Sequence, residues 1–343
     1  MSVHLATSSL LEPPSGASPK VAPEPSGETL AKLKVLETHF GGENFDLPMR
    51  TASVERRRLD EREMMYLSRE TFIRFLTATK GDVSAAITRL EACVVWRRAE
   101  FIDDLDRMAA DCEPESRTGK NIVLGFTPRS QPIIYFFPAR NTTPPEKRRA
   151  VHAVFMLERA QDLMPENVTN VYVVFNFAGK REGPPTSPSV ARQTLSILSS
   201  YYPETLSLSV LLNMPWIVRT FINLIWPFVD PVTKQKVKFG TNIVQDGEVD
   251  ASQLLQKCGG GLMLPYDHEA YWPELVRVCK ERRTEQMQRF VELGPRVGME
   301  EREWRRKAST HGNSAASEKA QRATAPVSGV EGETMSSRKG VVA

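Results

Sequence analysis

The run NVYVVFNF, residues 170–177, is apolar or β-favouring at nearly every position and shows no alternation. That is the mark of a strand covered on both faces, and such strands belong in parallel sheets packed between helices. The same texture recurs in NIVLGF (121–126) and PIIYFF (132–137), with TPRSQP reading as the turn between them, in LSLSVLLN (206–213) and in the short KVKFG (236–240). Helical stretches separate them: EKRRAVHAVFMLERAQDLMP (146–165), stopped by Pro165, and SVARQTLSILSS (189–200). Strands alternating with helices predict an α/β domain with a largely parallel sheet. No internal repeat is visible.

Upstream, the pattern is helical. A short helix ends near Phe40, Gly41 and Gly42; Ser68 then caps a helix that sets Phe72, Phe75 and Leu76 on one face and stops at Gly81. Asp82 caps the next, lined by Val83, Ala86, Ile87, Leu90 and Val94. Residues 1–28 and the stretch from 308 on are rich in Ser, Pro, Gly and Glu, and are expected to be disordered. Near the carboxyl end, ELVRVCKERRTEQMQRF mixes basic and apolar residues, which suits either a packed helix with a solvated face or one lying on an anionic membrane.

Between Met214 and Val229 only Arg219, Thr220 and Asn223 are clearly polar. Prolines at 215 and 227 bracket the run, which is shorter than the roughly 20 apolar residues a membrane span needs. On a helix the polar residues share one narrow face, and Ile217, Val218, Phe221, Ile222, Leu224 and Ile225 cover most of the rest. This is either a central helix wrapped by the core or one with a face on an apolar cavity and another open to lipid. Trp216 and Trp226, at its ends, suit either a membrane interface or a packed core.

Catalytic patterns are missing: there is no GxxxxGK(S/T), HExxH or GxSxG, and the five histidines show no paired metal-ligand spacing. His152, on a helix, reads as a packed or surface residue. Cys93, Cys112, Cys258 and Cys279 lack CxxC spacing and read as free, mostly buried thiols of a reducing compartment. With 45 basic and 42 acidic residues the net charge is +3, no global footprint for nucleic acid. The amino terminus lacks the flanks of a signal peptide, so the expectation is an intracellular, soluble protein that meets membranes peripherally. Neither an enzyme nor a cofactor is expected. Two stretches do look chemical: YYPET (201–205) and DPVTKQK (230–236), which place a carboxylate, a hydroxyl and lysines beside apolar runs, a set able to hold a polar head group.

Taken together, FIRFLTATKGDVSAAITRLEACVVWRR, PIIYFFPAR, YYPETLSLSVLLNMPW and WPFVDPVTKQKV resemble the CRAL-TRIO lipid-exchange family. The stretches AVFMLERAQDLMP, NMPWIVRTFINLIWPFVDPVTKQK and YDHEAYWPELVRVCKERR are most similar to its fungal phosphatidylinositol transfer proteins associated with pleiotropic drug resistance. The resemblance covers roughly 60–290 and implies a helical amino-terminal subdomain (29–112), a lipid-binding α/β lobe (113–268) gated by the 214–229 helix, and a helical extension (269–307) before the tail (308–343). It assigns phosphatidylinositol head-group roles to Lys80, Glu204, Thr233 and Lys236. The lipid pocket and gate fall to Tyr135, Val171, Val173, Trp216, Phe221, Ile222, Ile225 and Trp226.

The pattern departs from the family at Thr77 and Thr205, where the type member has arginines, and at Ser130, Gln131 and Pro132, where Gly-Arg-Pro is usual. Val171 and Val173 stand where hydroxyl side chains serve phosphatidylcholine, and valine cannot hydrogen-bond a phosphate. The implied protein is a non-enzymatic carrier that exchanges phosphatidylinositol between membranes, with a sterol as the candidate second lipid. The alternative is a sensor that presents phosphatidylinositol to a lipid kinase. The expected location is cytoplasmic, with peripheral association to endoplasmic reticulum, lipid droplets or plasma membrane.

Overall fold

The computed structural model describes residues 3–306 except 145–146, 186 and 227–230, and except the side chains of 3–6, 188, 217, 221, 224, 225, 232 and 233. The chain opens with α1 (Val3–Leu10), followed by α2 (Gly27–Phe40), a small antiparallel ribbon of β1 (Asp46–Pro48) and β2 (Arg56–Arg58), and then α3 (Glu61–Tyr66), α4 (Arg69–Ala78), α5 (Val83–Ala99) and α6 (Leu105–Ser116). The caps read from sequence form. Ser68 Oγ accepts from Thr71 N at 3.0 Å and Asp82 Oδ1 from Ala85 N at 3.0 Å. Gly81 (φ 81°) closes α4 by donating to Leu76 O at 2.7 Å. Phe72, Phe75, Leu76, Ala86, Leu90 and Val94 are buried in one cluster with Leu33, Leu36 and Phe40.

The main sheet holds β3 (Asn121–Phe126), β4 (Pro132–Phe136), β5 (Val171–Asn176), β6 (Leu206–Leu212) and β7 (Val237–Phe239), side by side in that order. Only the β3–β4 pair is antiparallel; the others run parallel. The crossovers are α7 (Lys147–Asp162), α8 (Pro188–Tyr201), and α9 (Trp216–Ile225) with α10 (Pro231–Gln235). The β3–β4 turn closes without the usual glycine. Ser130 itself adopts the left-handed φ of 61°, and Thr127 Oγ1 accepts from Arg129 N and Gln131 N, each at 3.2 Å. Gly125 interrupts β3 with φ 75° at a register shift; a Cβ there would lie 2.2 Å from Gln253 O, so the 251–254 segment needs a glycine beneath it.

The long α11 (His268–Glu292) and short α12 (Glu301–Arg305) complete the described chain. The basic residues of α11 are committed within the protein: Arg277 to Glu274 and Glu281, Lys280 to Asp106, Arg282 to Glu12, Arg283 to Asp103 and Arg289 to Trp304 O. That pairing is the packed-helix alternative. Just before and along α12, the chain returns to the amino-terminal helices: Gly298 N donates to Leu67 O, Arg69 N to Met299 O, and Ser68 Oγ to Glu301 at 2.9 Å.

The expectation that residues 1–28 are disordered needs correction. Helix α1 packs on α11, Leu10 and Leu11 are buried, and Ser18 N donates to Pro128 O. Composition failed because two leucines against a large apolar face suffice to anchor an otherwise polar segment. All four cysteines are free and buried. Among the described residues no helix is long and apolar enough to cross a membrane.

Candidate functional site

Helix α8 delivers the YYPET segment to the start of β6, and the amino-terminal helices hold it there. Tyr201 stacks on Trp96 of α5, ring centroids 4.2 Å apart and 9° from parallel. Tyr202 donates its hydroxyl to Glu158 Oε1 at 2.6 Å, and Glu158 takes Arg97 Nη1 and Nη2 at 2.8 and 3.1 Å. Arg97 also reaches Asp103 at 2.7 Å. Burial by itself pushes the Glu158 carboxyl up, but the Arg97 charge and its hydrogen bonds outweigh it and hold the group below its ordinary value. Burial, then the Glu158 charge, drives the Tyr202 hydroxyl well above its own. A charged network is therefore built into the segment next to Glu204.

Glu204 sits in the left-handed region at φ 55°, where a non-glycine residue is strained. Thr205 O then accepts from Val171 N at 2.9 Å and starts the β5–β6 pairing. One strand over, Ser209 N donates to Lys236 O at 2.7 Å as β6 meets β7. The two motifs thus meet at the ends of neighbouring parallel strands, and Lys236 Nζ pairs with Glu204 Oε2 at 2.8 Å. The two side chains are 24% and 32% exposed, half-buried and open to a ligand.

Lys80 is not bonded to this pair. It is exposed in the α4–α5 turn, also in a left-handed conformation (φ 55°), and no hydrogen bond or ion pair among the described residues joins it to Glu204 or Lys236. Thr233 falls on α10, with its side chain outside the described residues, as are those of Phe221 and Ile225 on α9.

Strand register defines two faces of the sheet. Ile134, Val173, Ser209 and Val237 form one row, and Phe136, Phe175, Leu211 and Phe239 the next on the same face. Val171, two residues before Val173, shares that face. Phe136 and Phe175 stack at 4.7 Å, and the Trp226 ring at the end of α9 meets Phe239 edge-on at 5.4 Å. An apolar floor thus runs from β4 to the end of α9. Phe175 is half-buried and Phe239 is 39% exposed, so the floor is incompletely covered. Ile222 of α9 is half-buried, and Trp216 at its start is 78% exposed.

Tyr135 departs from its expected place with Val171 and Val173. It pairs with Val174, on the opposite face, where its buried hydroxyl donates to Gln253 O at 3.3 Å and accepts from Leu255 N at 3.4 Å. The aromatic row of Phe136, Phe175 and Phe239, and Ser209 beside it, escaped the sequence reading because these strands are apolar on both faces and only register tells the faces apart.

His152 is fully buried, with Nδ1 3.2 Å from Asn121 Nδ2, and burial lowers its pKa to about 3. Among the described residues no group of three or more His, Cys, Asp or Glu is placed to hold a metal.

Comparison with known proteins adds a separate line. The CRAL/TRIO domain model matches residues 116–260, and the CRAL/TRIO, N-terminal domain model residues 30–92. The chain is 32% identical to the phosphatidylinositol transfer protein PDR17 of Saccharomyces cerevisiae, over 85% of this chain and 87% of that one. It is 36% identical to a CRAL-TRIO domain-containing protein of Schizosaccharomyces pombe, over 75% of this chain but only 25% of that longer protein. A solved structure titled "Crystal structure of Sfh5" aligns with a TM-score of 0.46 at 14% identity, over 65% of this chain and 84% of that one.

Proposed function

Because the chain belongs to the CRAL/TRIO family, we propose that it is a lipid-transfer protein that binds phosphatidylinositol and carries it between membranes. The observation that carries this reading is the Glu204–Lys236 pair, half-buried beside an apolar floor. In the proposed complex, inositol hydroxyls donate to Glu204 and the phosphate pairs with Lys236, with Thr233 and Lys80 as further candidate contacts. The acyl chains run over Val171, Val173, Phe136, Phe175, Leu211 and Phe239, and α9 opens to admit them. Each CH₂ withdrawn from the bilayer needs equivalent burial, worth about 0.8 kcal/mol, which a continuous apolar floor supplies. A sterol is the proposed second cargo, supported by the valines at 171 and 173, which offer a phosphocholine nothing to bond.

Glu204→Ala combined with Lys236→Ala tests the reading in transfer of labelled phosphatidylinositol between donor and acceptor vesicles. Each lost contact leaves a polar ligand group unpaired at about 1–3 kcal/mol, roughly five- to more than a hundredfold in affinity. The double variant should lose phosphatidylinositol transfer while its melting and any sterol binding stay near wild type. A double variant that melts like the wild type and still transfers at the parental rate would refute the site. A wild-type protein that binds phosphatidylinositol without moving it between vesicles would favour presentation to a lipid kinase.

A further inference from the structure

The pairing of Glu204 with Lys236 raises a question that a phosphate-binding role alone leaves open. A lysine meant only to attract phosphate is better served without a carboxylate 2.8 Å from its ammonium. Among the described residues each of the two has the other as its only ion-pair partner, so the pair presents no net charge to an incoming anion. We propose that Glu204 is a selectivity element: its ion pair reserves Lys236 for phosphate esters whose head group brings hydrogen-bond donors, and excludes a bare phosphate such as that of phosphatidic acid. The proposal rests on the head-group reading above and deepens it.

The argument is one of exchanged partners. When Lys236 turns to a phosphate, the Glu204 carboxylate loses its donor and acquires a negative neighbour. A polyol head group answers both losses, because its hydroxyls donate to the carboxylate while the phosphate takes the ammonium. A bare phosphate answers one and adds like-charge repulsion in a half-buried site where water screens it incompletely. Glu204 has little freedom to retreat. Pro203 precedes it, Thr205 O is bonded to Val171 N, and Tyr202 is tied to Glu158, so the backbone that carries the carboxylate is held within reach of the lysine.

Phosphatidylcholine vesicles carrying a trace of fluorescent phosphatidylinositol or fluorescent phosphatidic acid provide the test. Glu204→Gln removes the charge in an isosteric side chain. Glu204→Asn does so with a residue that tolerates the left-handed backbone well, which keeps a folded charge-free variant in hand. We expect the wild type to prefer phosphatidylinositol over phosphatidic acid by about tenfold or more, and both variants to gain about tenfold in phosphatidic acid transfer while losing part of their phosphatidylinositol transfer, so that the preference closes from both sides. Lys236→Ala should lose both. Folded charge-free variants that move phosphatidic acid no faster than the wild type, while Lys236→Ala loses phosphatidylinositol, overturn the selectivity role and leave the head-group site standing. A Lys236→Ala protein that still moves phosphatidylinositol at the parental rate overturns the site and the inference with it.

Discussion

Replacing Tyr202 by Phe removes one hydroxyl and little else. The ring keeps its edge-on contact with Trp96, centroids 5.9 Å apart, so apolar burial is unchanged. What disappears is the 2.6 Å bond to Glu158, a hydrogen bond to a charged acceptor, typically worth about 1.5–3 kcal/mol. Glu158 Oε1 still accepts from Arg97 Nη1 at 2.8 Å, so no carboxylate oxygen is orphaned and the lower part of that range, about 1.5–2 kcal/mol, applies. For a chain of this size that lowers the melting temperature by about 2–3 °C.

The functional effect follows from the neighbouring backbone. Glu204 is held at φ 55°, which costs roughly 1 kcal/mol for a side-chain-bearing residue. With the clamp loosened, the fraction of molecules presenting the carboxylate correctly falls by up to about fivefold, and apparent affinity falls with it. Urea unfolding and vesicle transfer of phosphatidylinositol measure the two effects separately. A Tyr202→Phe protein as stable as the wild type would show that the hydrogen bond contributes nothing. One destabilised as calculated, yet transferring at the parental rate, would show that Glu204 does not depend on the clamp.

Two further outcomes are expected. Burial, and then the Glu301 carboxylate, raise the Glu70 pKa from 4.5 to about 7; the folded chain keeps a proton there that the unfolded chain loses above pH 4.5, so stability falls as pH rises toward 7. Glu70→Gln, which can still accept the Glu301 N–H and still faces Arg74, should therefore gain on the order of 2 kcal/mol over the wild type above pH 7 and nothing near pH 4.5; melting curves without that divergence refute the assignment. Leu11→Ala, at a fully buried position, should cost about 2–5 kcal/mol in urea unfolding, and an unchanged midpoint would return the amino-terminal segment to the disordered class.

Legibility in the sequence followed the range of the forces involved. Caps at Ser68 and Asp82, the stop at Gly81 and the five main strands are decided within a few residues, and each stands where its pattern puts it. The face on which Tyr135 lies is decided by pairing with β5, and in a strand apolar at every position nothing local encodes it. The juxtaposition of Glu204 and Lys236 has the same character. The motifs named the residues, but only the β6–β7 pairing makes them partners, and neither motif announces the ion pair. Leu10 and Leu11 failed the compositional reading for a related reason, since their partner surface, α11, begins at His268.

The return of the last described helix to Ser68 sets a schedule for synthesis. Ser68 and Glu301 are 233 residues apart, so the amino-terminal bundle emerges from the ribosome long before the chain that covers its flank exists. At typical elongation rates the gap is roughly ten to fifty seconds. Throughout that interval the surface later met by Met299 and Glu301 is left uncovered. A nascent chain halted before residue 297 should therefore present this flank to chaperones, and slow translation of the final stretch is expected to raise the aggregated fraction more than an equal delay placed early in the message.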